Sequence, residues 1–205
     1  HIMRRRQRQM CIRDSHIAQT MKFDEMQSWL LYYISTFEME KKPVVDVIDP
    51  SGVIYSQVLE SPEGEVRLNL NGADNSETFA SKFLTSRFGA GTQHIALLSD
   101  DIFETSKILE ASRFERLQMP DGYYNDLKQK YGLAEDFVNK LQASNILYTK
   151  NNGEYFQIYS APIFDGFFFE IVERRDQYQG YGSRNASARL AAQSNYKQAD
   201  RTAYV

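Results

Sequence analysis

The chain has 205 residues, of which 42% are hydrophobic and 25% are charged, values typical of one globular domain or two packed modules. The net charge of -3 gives no reason to expect a nucleic acid or an anionic membrane as a partner, and no apolar run is long enough to span a bilayer. The single cysteine excludes an internal disulfide framework and predicts a reducing, cytoplasmic location.

Residues 1–15 differ in composition from the rest of the chain. They include five arginines and lack the apolar segment of a secretory signal. The first three residues look like the remnant of an expression tag, and the next twelve look like a translated adapter sequence from the end of a metagenomic reading frame. We therefore predict a non-native leader over 1–15 and a natural protein that is longer upstream. A basic arm that binds an acidic partner is the less favoured alternative.

The next sixty residues predict one strand, one helix and three further strands. Asp24 is the expected N-cap of the helix, because apolar residues follow it at helical spacing. Two Pro-x-Gly segments, at 50–52 and 62–64, predict turns between strands. The predicted strands are 15–21, 44–48, 54–60 and 65–71.

A second unit repeats this order of elements. His94-Ile-Ala repeats the tripeptide that begins at His16, 78 residues earlier, and an acidic helix start follows at Asp100 and Asp101. An insertion at 121–145 predicts two short helices, and Asn152-Gly153 predicts a hairpin. The remaining predicted strands are 117–120, 146–149, 155–160 and 167–173.

A repeat of this size predicts a duplicated module. The fold class is therefore α+β, with two βαβββ modules over about 16–75 and 90–175 that form an open curved sheet. A helix at 186–195 and a polar tail at 196–205 complete the expected organisation of a domain that spans 16–195.

The residues that carry chemistry are one carboxylate and two histidines. Glu170 interrupts an apolar strand, where a carboxylate is costly unless it is paired, exposed or bound to a metal. A histidine on a strand is more often structural than a ligand, but His16 and His94 occupy the same position of the repeat. Adjacent duplicated strands would bring their rings together. Two histidines and a carboxylate form the facial triad of non-haem Fe(II) oxygenases.

Five segments resemble the C-terminal half of 4-hydroxyphenylpyruvate dioxygenases, within the vicinal oxygen chelate, or glyoxalase-like, superfamily. They are GTQHIAL, YYNDL, SNILYTKNNGEYFQIYSAP, FFFEIVERR and GYGSRN, and the resemblance covers about 16–195. It implies an open barrel around Fe(II), or another divalent ion in its place, with His16, His94 and Glu170 as ligands. It also implies a small aromatic 2-oxo acid and O2 as substrates, and oxidative decarboxylation with ring hydroxylation as the reaction.

The same resemblance assigns roles to side chains around the metal. Gln93 and Gln157 match the catalytic glutamines near the ring and the oxygen site. Tyr181 replaces a phenylalanine before the gating helix, which begins near Asn185. The substrate-binding positions that the resemblance implies are Ser56, Asn71, Phe79, Tyr181 and Asn185.

Two of the matched positions depart from the family pattern. Phe79 stands where the family usually has a third glutamine, and Ala186 stands where an aromatic side chain usually closes over the ring. Both changes predict weaker selection for a phenol.

The segments SNILYTK, GYG and NASARLAAQ are similar to the dioxygenase-like domain that follows a sugar-phosphate-isomerase-like barrel in bacterial 3-dehydroshikimate dehydratases. This similarity implies an alternative, a metal-binding accessory domain in which an upstream barrel carries the dehydration chemistry. Extradiol cleavage of a catechol is a third reading, because it uses the same triad. A homo-oligomer is left open.

Overall fold

The first repeat unit has the predicted elements, together with a two-residue strand and a helix that the sequence did not predict. A computed structural model describes residues 14–49, 51–164 and 166–202. The added helix is α2, which begins after Thr78, whose side chain accepts a hydrogen bond from the backbone N–H of Ser81. The elements of this unit are β1 (Asp14–Lys22), α1 (Met26–Phe37), β2 (Glu40–Lys41), β3 (Val45–Asp49), β4 (Gly52–Glu60), β5 (Arg67–Ala73) and α2 (Phe79–Arg87).

The second unit contains the predicted helical insertion. Asp101 caps its first helix as expected, since its Oδ1 accepts hydrogen bonds from the N–H groups of Phe103 and Glu104. The Asn152-Gly153 turn joins two antiparallel strands. The elements are β6 (Gly91–Leu98), α3 (Ile102–Ala111), α4 (Asp121–Tyr131), α5 (Glu135–Ala143), β7 (Leu147–Asn151), β8 (Gly153–Tyr159), β9 (Phe168–Arg175) and α6 (Ala186–Thr202).

Some predicted details are wrong. Asp24 does not cap α1, because it lies inside a 3₁₀ turn, Phe23–Glu25, and not in the extended conformation that a cap needs. The strand predicted at 117–120 is reduced to a bridge between Arg116 and Ser160, because Pro120 lacks a backbone donor and starts α4.

The predicted polar tail also differs from the structure. The helix predicted at 186–195 continues to Thr202, where the Tyr196 hydroxyl donates to Glu115 Oε1 at 2.8 Å. The strand expected to begin at Ser15 starts one residue earlier, at Asp14, and Ser15 is buried. Leader residues 1–13 and residues 203–205 lie outside the described ranges, so the leader stays a prediction.

The sheet joins the two modules through their first strands. Its strand order is β2-β4-β5-β1-β6-β9-β8-β7, with β3 paired to β4. Strand β1 is parallel to β5 and β6 is parallel to β9, whereas β1 and β6 are antiparallel to each other. Ile17 faces Ile95, its equivalent in the repeat, so this pair lies on the approximate twofold axis between the modules. The paired βαβββ architecture predicted from the repeat is therefore confirmed.

Alternation along the strands separates the core from a second, polar face. Met21 and Leu70 are completely buried in the cluster that includes α1. His16 is an odd number of residues from Met21 on β1, and Asn69 is next to Leu70 on β5, so His16 and Asn69 point to the opposite face. The second module has its own core, centred on Tyr148 and neighbouring side chains of β7–β9 and α3–α5. None of the helices in the described part of the chain combines the length and apolar character needed to cross a membrane.

Candidate metal centre

The three residues predicted as metal ligands meet at one point. His16 Nε2 lies 3.3 Å from His94 Nε2 and 3.4 Å from Glu170 Oε2, and His94 Nε2 lies 3.6 Å from the same oxygen. A triangle with edges of about 3.4 Å has its centre about 2.0 Å from each corner, which is the bond length of a divalent metal to imidazole nitrogen or carboxylate oxygen. The donor set therefore fits a metal ion, and these residues could hold one.

The register of three neighbouring strands explains the meeting. Ala96 pairs with His16 on one side and with Glu170 on the other, so these three residues form one row across β1, β6 and β9. The side chain of Ala96 is a single methyl group and is completely buried. This small residue leaves the space into which the larger side chains on either side converge. His94 joins them from two residues along β6, on the same face.

Burial sets the charge of the donors. The side chains of His16, His94 and Glu170 are almost inaccessible to solvent. Burial lowers the pKa of His94 to about 3, so its ring is neutral at pH 7 and keeps a lone pair for a metal. Burial alone would raise the pKa of Glu170, but hydrogen bonds from His16 and Gln157 and the electrostatic interaction with both imidazole rings outweigh it and lower the pKa to about 2. The cluster thus offers a carboxylate and imidazole nitrogens at neutral pH.

Hydrogen bonds hold Glu170 in this orientation. Gln157 Nε2 donates to Glu170 Oε1 at 2.8 Å, which leaves Oε2 directed at the histidines. Asn185 Nδ2 in turn donates to Gln157 Oε1 at 2.6 Å and to Thr149 Oγ1 at 2.9 Å. Gln157 and Asn185, which the sequence suggested as contacts for oxygen or substrate, therefore lie behind the ligand carboxylate and orient it.

The two histidines have different supports. His16 Nδ1 lies 3.3 Å from Ser15 Oγ, and Arg174 also donates to that hydroxyl. His94 stacks on Phe168, with 4.7 Å between ring centres, and its Nδ1 has no hydrogen-bond partner among the described residues. Sequence reasoning missed Ser15 because it assigned this residue to the leader.

A cavity of about 580 Å³ opens beside the cluster. Gln93, His94 and Glu170 form part of its wall, and the Gln93 amide oxygen accepts a hydrogen bond from Thr20 at 3.1 Å. The substrate positions suggested by the sequence that line the same cavity are Ser56, Asn71, Phe79 and Tyr181. Lining residues that sequence reasoning missed include Asn69, Tyr159 and Arg189. The alternation of Asn69 with Asn71 on β5 was a signal that could have identified the first of these.

Gly182 brings the segment before α6 against the side chain of Gln157. Its φ of +69° is one that glycine adopts without strain, and a Cβ at this position would overlap the side chain of Gln157. The absence of a side chain at residue 182 is therefore a condition for the hydrogen bond from Gln157 to Glu170.

Comparisons with known proteins agree with this fold. No family model matches the chain. It is 36% identical over 182 residues to a 3-dehydroshikimate dehydratase of Pseudomonas putida, which covers 88% of this chain and 29% of that protein. It is 29% identical over 181 residues to a 4-hydroxyphenylpyruvate dioxygenase of Legionella pneumophila, which covers 86% of this chain and 52% of that protein.

Two solved structures extend the comparison. A xylose isomerase-like TIM barrel/4-hydroxyphenylpyruvate dioxygenase fusion protein superposes with a TM-score of 0.75 at 34% identity, over 88% of this chain and 29% of that one. A mutant 4-hydroxymandelate synthase from Streptomyces coelicolor has the same fold, with a TM-score of 0.80 at 24% identity, over 90% of this chain and 55% of that one. The chain thus spans between about three tenths and about half of the length of these proteins.

Paired βαβββ modules around a cluster of two histidines and a glutamate define the vicinal oxygen chelate fold. The chain is a homologue of 3-dehydroshikimate dehydratases and of 4-hydroxyphenylpyruvate dioxygenases, and it matches part of the fusion protein in sequence and structure. The family resemblance that its sequence motifs indicated is confirmed.

Proposed function

We propose that the chain is a non-haem Fe(II)-dependent dioxygenase domain of the 4-hydroxyphenylpyruvate dioxygenase type, which acts on an aromatic 2-oxo acid with O2. The observation that carries this proposal is the buried triangle of His16, His94 and Glu170 at the wall of the 580 Å³ cavity. Three protein ligands on one side of an Fe(II) ion leave positions for a chelating substrate and for oxygen. The homology to dioxygenases supports the same assignment.

When bound, the ion supplies the redox chemistry and the coordination positions for both substrates. The side chains of the protein bind, orient and exclude water. Gln157 fixes the Glu170 carboxylate, and Gln93 presents its amide to the cavity beside His94. Ser56 and Asn71 offer hydrogen bonds to polar groups of the substrate. Phe79, Tyr159 and Tyr181 add aromatic side chains to the lining of the same cavity.

Oxygen uptake tests the proposal. The protein is loaded with Fe(II) under anaerobic conditions, mixed with 4-hydroxyphenylpyruvate or phenylpyruvate, and exposed to O2. We expect one CO2 released per O2 consumed, and no uptake by Glu170→Gln prepared in the same way. Full iron occupancy without uptake for any aromatic 2-oxo acid would contradict the proposal.

A specific observation favours a second candidate, a metal-binding accessory domain of a larger 3-dehydroshikimate dehydratase-type protein. The chain matches 29% of such a dehydratase, and Phe79 and Ala186 replace residues expected for phenol recognition. Tight metal binding that stabilises the protein without oxygen consumption would support this candidate. Oxygen consumption with catechols and not with 2-oxo acids would instead support ring cleavage.

A further inference from the structure

The carboxylates that line the cavity are all engaged. Asp49 accepts hydrogen bonds from the backbone N–H groups of Ser51 and Phe79, at 2.9 and 3.1 Å. Glu60 forms ion pairs of 3.0 Å with Lys42 and 2.7 Å with Arg67. Glu170 belongs to the metal cluster. None of these three groups is left to balance a further positive charge in the cavity.

Arg189 on α6 supplies such a charge. Its guanidinium lies over the rings of Phe168 and Tyr159, at 5.1 and 5.8 Å from their centres, and Nη1 donates to Gln193 Oε1 at 2.8 Å. Within the described ranges, no carboxylate forms an ion pair with it. The side chain is half-buried and lines the cavity. A cation held in this way without a counter-charge is costly, which argues for a role in binding.

The two rings beneath Arg189 connect it to the metal cluster. Phe168 stacks on His94, and Tyr159 pairs with Glu170 across β8 and β9. The guanidinium therefore lies one layer of aromatic rings away from the donors, at the wall of the same cavity. A flat ligand of one ring could contact the cluster at one end and this cation at the other.

Ala186 lies beside Arg189 in the cavity wall. Residues three apart on a helix share a face, and both Ala186 and Arg189 line the cavity. The single methyl group of Ala186 therefore adds little bulk to the cavity wall beside Arg189.

We propose that the cavity selects an aromatic ligand with two anionic ends, in which a chelating pair of oxygens faces the metal cluster and a ring carboxylate pairs with Arg189. Only one part of this inference, the chelating oxygens that face the metal cluster, rests on the proposed function. A guanidinium presents two parallel N–H donors, which match both oxygens of a carboxylate. Two other cations line the cavity: Lys42 forms ion pairs with Glu60 and Glu40, and Arg184 is exposed to solvent.

Calorimetric titration of the Zn(II)-loaded protein tests the proposal with matched ligands. Phenylpyruvate is compared with 4-carboxyphenylpyruvate, and catechol with 3,4-dihydroxybenzoate. A charge-assisted, two-point contact predicts that the added carboxylate lowers the Kd by about 10-fold or more in at least one pair. Arg189→Gln should abolish this preference to within about 2-fold, and Arg189→Lys should retain part of it. Lys107→Gln, an exposed cation on α3 outside the cavity lining, should retain all of it.

The outcomes separate the two proposals. Binding of the catechols without binding of either 2-oxo acid would reject the proposed substrate class and leave Arg189 to be judged on the second pair. Equal affinities within both pairs, no binding of any of the four ligands, or an unchanged preference in Arg189→Gln would overturn the role of Arg189. Unfolding midpoints of the variants, measured beside the titrations, show that they are folded.

Discussion

The first module (β1–β5) and the second module (β6–β9) present equivalent positions to the cavity, and these positions carry different side chains. Asn69 on β5 pairs with Ala18 and Val58, just as Glu170 on β9 pairs with Ala96 and Tyr159. The duplicated fold therefore places an amide where its other half places a carboxylate. The two histidines are equivalent to each other, so only this third position breaks the symmetry.

The surroundings of Glu170 and Asn69 also differ, because within the described part of the chain only Glu170 has hydrogen-bond donors around its side-chain oxygens. Glu170 accepts hydrogen bonds from Gln157 and Tyr155 and lies beside both histidines. Asn69 is buried, and its Oδ1 has no hydrogen-bond partner among the described residues. The comparison teaches that one half of the sheet stabilises a buried charge beside two histidines, whereas the other half leaves a buried acceptor without a partner among the described residues.

The largest effect is expected from substitution of Glu170, the carboxylate of the candidate metal centre. Glu170→Gln removes the only anionic donor of the cluster. We expect metal affinity to fall by more than the roughly 10- to 100-fold that loss of a supporting hydrogen bond costs. Competition with a chelating dye measures this affinity. Asn69→Gln at the equivalent position is the matched control and should change it little; a comparable loss in both variants would show that the modules share the metal.

A smaller effect is expected from Gly182→Ala, which tests how Gln157 supports the Glu170 carboxylate. The new Cβ would displace Gln157 and would occupy a left-handed conformation that costs about 1 kcal/mol. We expect a lower free energy of unfolding and a metal affinity reduced by about 10-fold. Both are measurable by denaturant titration and dye competition.

Gly122→Ala is the control for that substitution. Gly122 lies in α4, where a Cβ meets nothing within 4 Å. Alanine there should leave metal affinity unchanged and increase stability by about 0.5–1 kcal/mol. Wild-type metal affinity in Gly182→Ala would mean that Gln157 does not control the Glu170 carboxylate.

Asn69→Val tests the equivalent position in the first module. Removing a buried acceptor without a partner should raise the free energy of unfolding by about 1 kcal/mol, while ligand affinity falls. Denaturant titration and calorimetry measure the two changes. A loss of stability instead would show that the Asn69 amide is satisfied in the free protein.

The smallest effect is a pH dependence of the metal-free protein. The pKa of His94 is lowered from 6.5 to about 3 by burial, so the unfolded chain takes up a proton first as the pH falls. Its contribution to stability is therefore complete above pH 6.5 and is lost progressively below it. Between pH 7 and pH 6 we expect a decrease of less than about 1 kcal/mol in the free energy of unfolding. A His94→Gln variant in chelator-treated buffer should show a shallower decrease; an identical slope would contradict the assignment.

The sequence predicted the parts of the fold that local pattern and repetition determine. The repeated His-Ile-Ala placed β1 and β6 in equivalent positions, and the interrupted apolar run placed Glu170 on β9. Helix α2 could have been predicted from Thr78 and the spacing of Ala80, Phe83 and Leu84. The extension of α6 could not, because residues 196–202 carry no apolar period and the contact from Tyr196 to Glu115 is tertiary.

The site was predictable to a similar degree. The three donors were named from residue type and position, but the functions of the two glutamines were not separable in sequence. Only the structure shows that Gln93 faces the cavity while Gln157 is completely buried behind Glu170. Arg189 was not named, since its relation to Phe168 and Tyr159 depends on how α6 packs across the sheet.

The row formed by His16, Ala96 and Glu170 brings together parts of the chain that are far apart in the sequence. Residues 16 and 170 are 154 positions apart (170 − 16 = 154), and a single ion between them would close almost the whole domain into a loop. Because the unfolded chain does not hold these ligands together, binding of the ion stabilises the folded domain over the unfolded chain. The first strand and the last strand could then separate only after the ion dissociates, so resistance to proteolysis between the modules should follow metal occupancy.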